Sequence, residues 1–240
     1  FDQHGKRYLE GMAGLWCTAL GYGNEEIIEV AQQQMRDLSF SHMFGGKTHA
    51  AAIELADKLA AMVPMSDGRV FLGNSGSDAN DTLMKLIRYH AEASGQPNRI
   101  KVIAREQGYH GVTLASAALT AIPTNHTHFQ LPFEALGVLR TGSANYYRGG
   151  HDGESESDFV ARRAQELEAL ILAEGPDTIA AMIAEPVSGA GGVIVPPAGY
   201  FDAVQKVLDR YGIWLWDDEV ICGFGRTGQW FASQHYDLQP

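Results

Sequence analysis

Four short apolar runs, each closed by a polar cluster, constrain this chain more than any other feature. They are Val70-Phe71-Leu72, Ile100-Lys101-Val102-Ile103-Ala104, Ile179-Ala180-Ala181-Met182-Ile183-Ala184 and Ile213-Trp214-Leu215-Trp216. Each reads as a buried strand. Helices are predicted over about residues 24–38, 48–63, 77–93, 157–174 and 200–211, with Asn24, Thr48 and Ser157 as N-caps and Pro64, Gly95, Gly175-Pro176 and Gly212 as stops. In the helix from Ser157, residues Val160, Ala164, Leu167, Leu170 and Ile171 share one face, which is expected to pack on a sheet. Strands alternating with helices from about residue 69 predict an α/β fold with a mainly parallel sheet.

Charge and composition exclude several function classes. Eighteen Lys and Arg against 29 Asp and Glu leave a net charge of −11, which repels nucleic-acid phosphates and anionic membrane surfaces. No apolar run approaches the ~18 residues of a membrane span, and the first residues, Phe1-Asp2-Gln3-His4-Gly5-Lys6-Arg7, hold no apolar signal core. Two cysteines, Cys17 and Cys222, make neither a disulfide framework nor a thiolate zinc site, so a reducing, cytoplasmic setting is expected. The chain opens without methionine and stops at Pro240 soon after a glycine-rich turn, and it is expected to be a fragment.

What leaves each strand carries the chemistry, because ligands of an open parallel sheet sit beyond the carboxyl ends of its strands. After the first comes Asn74-Ser75-Gly76-Ser77-Asp78-Ala79-Asn80, where helix-terminal amides and hydroxyls form an anion site or a plain capped turn. After the second, Gly108-Tyr109-His110-Gly111 sets two rings between glycines, suited to stacking on a flat heterocycle or simply to a turn. Glu185-Pro186 and Asp217-Asp218-Glu219 place carboxylates at strand ends, where burial demands a cation, a metal or strong donors, and where a solvated loop is the rival reading. Strand alternation predicts that Asp217 and Asp218 point to opposite faces. Gly223-Phe224-Gly225-Arg226-Thr227-Gly228 spells a dinucleotide fingerprint, but no phosphate-facing helix is evident after it. His126 and His128 are expected to be solvated and not to ligate a metal.

The order of these segments is more telling than any one of them. Ser75-Gly76-Ser77, Tyr109-His110-Gly111, Glu185-Pro186-Val187 and Asp218-Glu219-Val220 followed by Gly223-Phe224-Gly225-Arg226-Thr227-Gly228 together resemble the class III, or omega, aminotransferases. The opening from Gly5 to Trp16 is similar to that family's N-terminal segment. The resemblance implies a fold-type I enzyme using pyridoxal 5'-phosphate, with residues 1–46 in a small domain and dimer interface and residues 47–240 in an incomplete large cofactor domain. It implies that Ser75, Gly76 and Ser77 hold the cofactor phosphate, that Tyr109 and Val220 cover the two ring faces, and that His110 adjoins the site. By the same resemblance Glu185 lies near the ring hydroxyl, Asp218 faces the ring nitrogen, and Trp16 with Tyr109 lines the substrate pocket.

Asn145-Tyr146-Tyr147-Arg148 and residues 154–160 are most similar to members that move an amino group from an omega-amino acid, diamine or other amine to pyruvate or a similar keto acid. A homodimer is implied. Another reaction on the same fold, decarboxylation or amino-group migration, and a non-catalytic binding module are the alternatives. The family's Schiff-base lysine lies beyond the Gly-Phe-Gly-Arg segment, whereas no lysine follows Lys206 here, so the chain alone is expected to be inactive.

Overall fold

The computed structural model describes residues 1–240, which divide into two compact units, Phe1–Ala61 and Met62–Pro240. The first holds a four-residue left-handed turn (α1, Ala13–Trp16) and two helices, α2 (Glu25–Leu38) and α3 (Ala50–Met62), the last crossing the boundary by one residue. Asn24 caps α2 by accepting the amide of Ile27, as its position before the apolar period predicts. Of residues 1–61 only Ala52 is buried.

The second unit runs α4 (Gly76–Ala93), β1 (Lys101–Arg105), α5 (Leu114–Leu119), α6 (Phe133–Leu136), β2 (Val138–Thr141), α7 (Tyr146–Gly149), α8 (Glu156–Glu174), β3 (Ile179–Ala184), α9 (Tyr200–Arg210) and β4 (Trp214–Asp217). The strands form one parallel sheet in the order β2-β1-β3-β4. Every residue of β3 is buried, as a continuous apolar run in a doubly covered strand requires. Side chains alternate between two cores. Ile103, Met182 and Leu215 pack with Leu167 and Ile171 of α8 and with Val204 and Leu208 of α9. Val102, Ala104, Ala181, Ile183 and Trp216 pack with Met84 and Ile87 of α4 and with Leu119 of α5. Helices therefore cover both faces, and polar side chains collect at the strand ends.

Three expectations need correction. Val70-Phe71-Leu72 forms no strand: it joins no ladder, and Phe71 is 65% exposed. Three apolar residues mark a segment fit for a ladder without supplying the neighbouring strand that makes one. Conversely β2 lies where no strand is expected, because Arg140 and Thr141 break its apolar pattern. Arg140 is a fastener: its guanidinium donates to the carbonyls of Ala118, Leu119 (2.7 Å) and Thr120 (2.7 Å) at the end of α5, and burial lowers its pKa to about 10. The N-cap of α8 is Ser155, which accepts the Asp158 amide, and not Ser157.

Phe159 is fully buried, meets Tyr146 edge-on at 5.4 Å and lies beneath the guanidinium groups of Arg162 and Arg163. Phe159→Ala is expected to cost about 3–5 kcal/mol in urea unfolding. Leu172→Ala, at a side chain 57% exposed on the same helix, is expected to stay within about 0.5 kcal/mol of the parent.

Candidate active site

The polar exits of β1, β3 and β4 meet the N-terminus of α4 in one place. Ser75 caps α4, its hydroxyl accepting the amide of Asp78 at 3.1 Å, while the Asp78 carboxylate turns back to accept the amide of Asn74 at 3.1 Å. This reciprocal cap leaves the amides of Gly76 and Ser77 at the head of an 18-residue helix with no backbone partner. Helix-terminal amides of this kind receive anions. The Ser77 hydroxyl accepts the amide of Val112 at 3.0 Å, which keeps its own proton available for a phosphate oxygen.

The loop after β1 closes over this terminus at Gly111. A Cβ there would stand 2.4 Å from Ser77 Oγ and 2.6 Å from Ser116 Cβ, and its φ of +135° is one that side-chain-bearing residues rarely adopt. Asp81 secures the same approach from below, accepting the Thr113 hydroxyl at 2.7 Å and the Ser116 amide at 3.0 Å. On the other side Val220, 61% exposed, lies 3.3 Å from where a Cβ on Gly76 would stand. Glycine at 76 and 111 thus lets three segments come together at backbone distance.

Asp218 follows β4 and extends its ladder by donating its amide to the carbonyl of Ala184 at 2.9 Å. Its side chain is buried against the α4 face. Oδ2 accepts from Asn80 Nδ2 at 3.1 Å and pairs with His110 Nδ1 at 2.9 Å, and Oδ1 accepts the amide of Val220 at 3.2 Å. Burial alone would raise this carboxyl's pKa, but His110, Asn80 and the Val220 amide outweigh it and hold the group below the usual carboxylate range. The site therefore keeps an anion at its floor.

Glu185, 2% exposed, uses both oxygens on backbone: Oε1 accepts the amide of Tyr109 at 3.0 Å and Oε2 that of Gly189 at 2.9 Å. Its pKa is raised by burial, an effect that His110, the two amides and Arg105 only partly offset. Glu185 thus brackets the loop bearing Tyr109, a partly exposed residue, to the loop after β3. Trp16 belongs to the N-terminal unit, where it ends α1.

Asp217 has a different setting from its neighbour. Its buried Oδ1 has no hydrogen-bond partner, and the residue borders a cavity of about 640 Å³ lined mainly by apolar side chains including Leu86, Trp214 and Phe231. Burial first, then the charge of Glu219, push its pKa up to about 8. Glu219 itself is occupied by the Ala232 amide and by the amide and hydroxyl of Ser233. Residues 223–228 form turns followed by a short 3-10 helix at Ala232–His235, and His126 bonds backbone carbonyls of Ala117 and Thr120.

Asp81 escapes the motif reading, and Asn80, the last residue of the segment that starts at Asn74, is given no role of its own by it. A signal for Asn80 was present: it shares a helical stripe with Met84, Ile87 and Ala91, all buried, and a lone amide on an apolar stripe needs buried partners. The set fits pyridoxal phosphate by its chemistry, with open amides and a hydroxyl at one end and, at the other, a buried carboxylate with acceptor capacity left on Oδ1.

Gly111→Ala is expected to lower the melting temperature and weaken phosphate binding together, as followed by calorimetry with inorganic phosphate; unchanged values in both would contradict the crowding at Ser77. For Asp217, a folded-state pKa of about 8 above the unfolded value means the fold binds the extra proton. Its stabilising contribution is therefore present in acid and lost as pH rises from about 4 through about 8. Asp217→Asn is expected to stabilise the chain by about 1–3 kcal/mol above pH 8 and by nothing near pH 4, read from urea curves across pH.

The whole chain, residues 1–240, matches the family model of class-III aminotransferases. A probable mitochondrial gamma-aminobutyrate transaminase of Oryza sativa subsp. indica is 47% identical over 241 residues, covering 100% of this chain and 48% of that protein. A diaminobutyrate–2-oxoglutarate transaminase of Halomonas elongata is 43% identical, covering 100% of this chain and 51% of that one. Among solved structures, the omega transaminase from Pseudomonas jessenii in complex with PMP superposes with a TM-score of 0.97 at 52% identity, over 100% of this chain and 52% of its own. The chain spans about half the length of the curated relatives it matches. Family model, relatives and fold agree with the ordered motifs, and the chain belongs to the class III, pyridoxal-phosphate-dependent aminotransferases.

Proposed function

We propose that the complete protein moves an amino group from an omega-amino acid, a diamine or a related amine to pyruvate or a similar keto acid. The observation that carries this reading is Asp218, a buried carboxylate held in its charged form by His110, Asn80 and the Val220 amide. Pyridoxal phosphate, when bound, supplies an electron sink that works only while its ring nitrogen is protonated. Asp218 would hold that proton. Gly76 and Ser77 bind the phosphate through amides and hydroxyl, with Ser75 fixing the cup by capping α4. Tyr109 and Val220 would cover the two ring faces, and Glu185 keeps the tyrosine loop in place by accepting its amide. Trp16 is assigned to the substrate pocket as an aromatic wall suited to an uncharged amine stem.

The donor class is supported by the gamma-aminobutyrate, diaminobutyrate and omega transaminases among the relatives and neighbours. The acceptor is open to direct comparison, since pyruvate is favoured by the subgroup resemblance and one relative's name specifies 2-oxoglutarate. A homodimer is supported by the N-terminal unit: Ile27, Ile28 and Val30 of α2 and Phe40 and Phe44 beyond it are exposed, and an apolar set of this size calls for a covering surface. The two unpaired cysteines, Cys17 and Cys222, support a reducing compartment, for which the cytoplasm is the proposal.

In the full-length protein, Asp218→Asn is expected to retain the cofactor and to lose about two orders of magnitude or more in turnover with amine and pyruvate. Near-normal turnover would remove the assignment. Sedimentation of the same protein is expected to give a dimer.

A further inference from the structure

We infer that Asn80 is a positioning residue for the cofactor ring, its side-chain amide tying Asp218 to the helix that carries the phosphate cup. The inference rests on the transaminase reading above and concerns a residue to which the motifs that led to it assign no role. Asn80 is 6% exposed, and Nδ2 contributes both its hydrogens: one to the carbonyl of His110 at 2.7 Å, the other to Asp218 Oδ2 at 3.1 Å. One side chain therefore joins α4, the loop after β1 and the end of β4, the three segments that meet at the site.

The bonding pattern on Asp218 gives the tie its direction. Oδ2 receives two donors, Asn80 Nδ2 and His110 Nδ1, so its acceptor capacity is filled. Oδ1 receives only the Val220 amide, leaving one lone pair for a further N–H. Asn80 thus selects which oxygen meets the ring nitrogen. It also sets where. Ser77 and Asn80 are three residues apart on α4, on neighbouring positions of one helical side and about 4.5 Å apart along its axis. The cup for the phosphate and the tether for the ring-nitrogen partner therefore share one rigid element and cannot drift independently.

Removing the amide would leave Asp218 Oδ2 with one donor in a buried place, favouring the neutral acid. A neutral carboxyl cannot keep a proton on the ring nitrogen opposite it. A merely structural Asn80, there to satisfy the His110 carbonyl, would affect stability alone.

The test uses the full-length protein loaded with pyridoxal phosphate labelled with nitrogen-15 in the ring. The parent protein is expected to show the protonated-nitrogen shift near neutral pH. Asn80→Ala is expected to move that signal to the unprotonated position and to raise the cofactor's dissociation constant about tenfold. If Asn80→Ala does not fold, as judged by circular dichroism, Asn80→Ser is measured instead, with a smaller shift in the same direction. A protonated signal unchanged in the folded variant overturns the inference, whatever happens to the melting temperature. Failure of the parent protein to take up the cofactor overturns the transaminase reading itself, so the two failures are distinct.

Discussion

A buried carboxylate at the end of a strand stays charged only if donors reach it from outside that strand, and the arrangement of this molecule's second unit follows from how Asp218 obtains them. They arrive from α4 through Asn80, from the loop after β1 through His110, and from the turn after β4 through the Val220 amide. For these to coincide, β1, β3 and β4 must run in parallel with their carboxyl ends level, and α4 must lie on the Val102 and Trp216 face of the sheet. The apolar cores on both faces hold that geometry, and Gly111 and Gly76 remove the side chains that would keep the loops apart.

Adjacent carboxylates at Asp217 and Asp218 show how much of this is local environment. One backbone step separates them. Asp218 has three donors and a depressed pKa, whereas Asp217 has a partnerless buried oxygen, the charge of Glu219 nearby and a pKa of about 8. Their surroundings differ although α4 side chains lie near both: Asn80 bonds Asp218, and Leu86 lines the cavity that Asp217 borders.

The α/β class, three of the four strands and the five long helices were legible in apolar runs and helical period, because burial on a sheet imposes both. β2 was not, since Arg140 serves α5 and gives the strand a polar signature. The strand reading of Val70-Phe71-Leu72 failed for a related reason: pairing depends on a neighbour that a local pattern does not contain. Ser75, Gly76, Ser77, Tyr109, His110, Glu185 and Asp218 stood out as polar exits from apolar runs, and the structure draws together the segments that carry them. Asn80 closes the small-residue segment that starts at Asn74 and Asp81 follows it, but both sit inside α4, and the motif gives neither a role. Their signature was a polar residue on a buried stripe, a departure from period and not a motif.

Glu185 carries a consequence for how this position can vary. Both of its oxygens receive backbone N–H groups, from Tyr109 and Gly189. Glutamine, the replacement closest in shape, would turn an NH₂ toward one of those amides and set donor against donor. Aspartate would keep two acceptors but fall one methylene short. At this position the mildest change by size is the harshest by hydrogen-bond polarity, so the side chain is fixed by acceptor count as well as by volume.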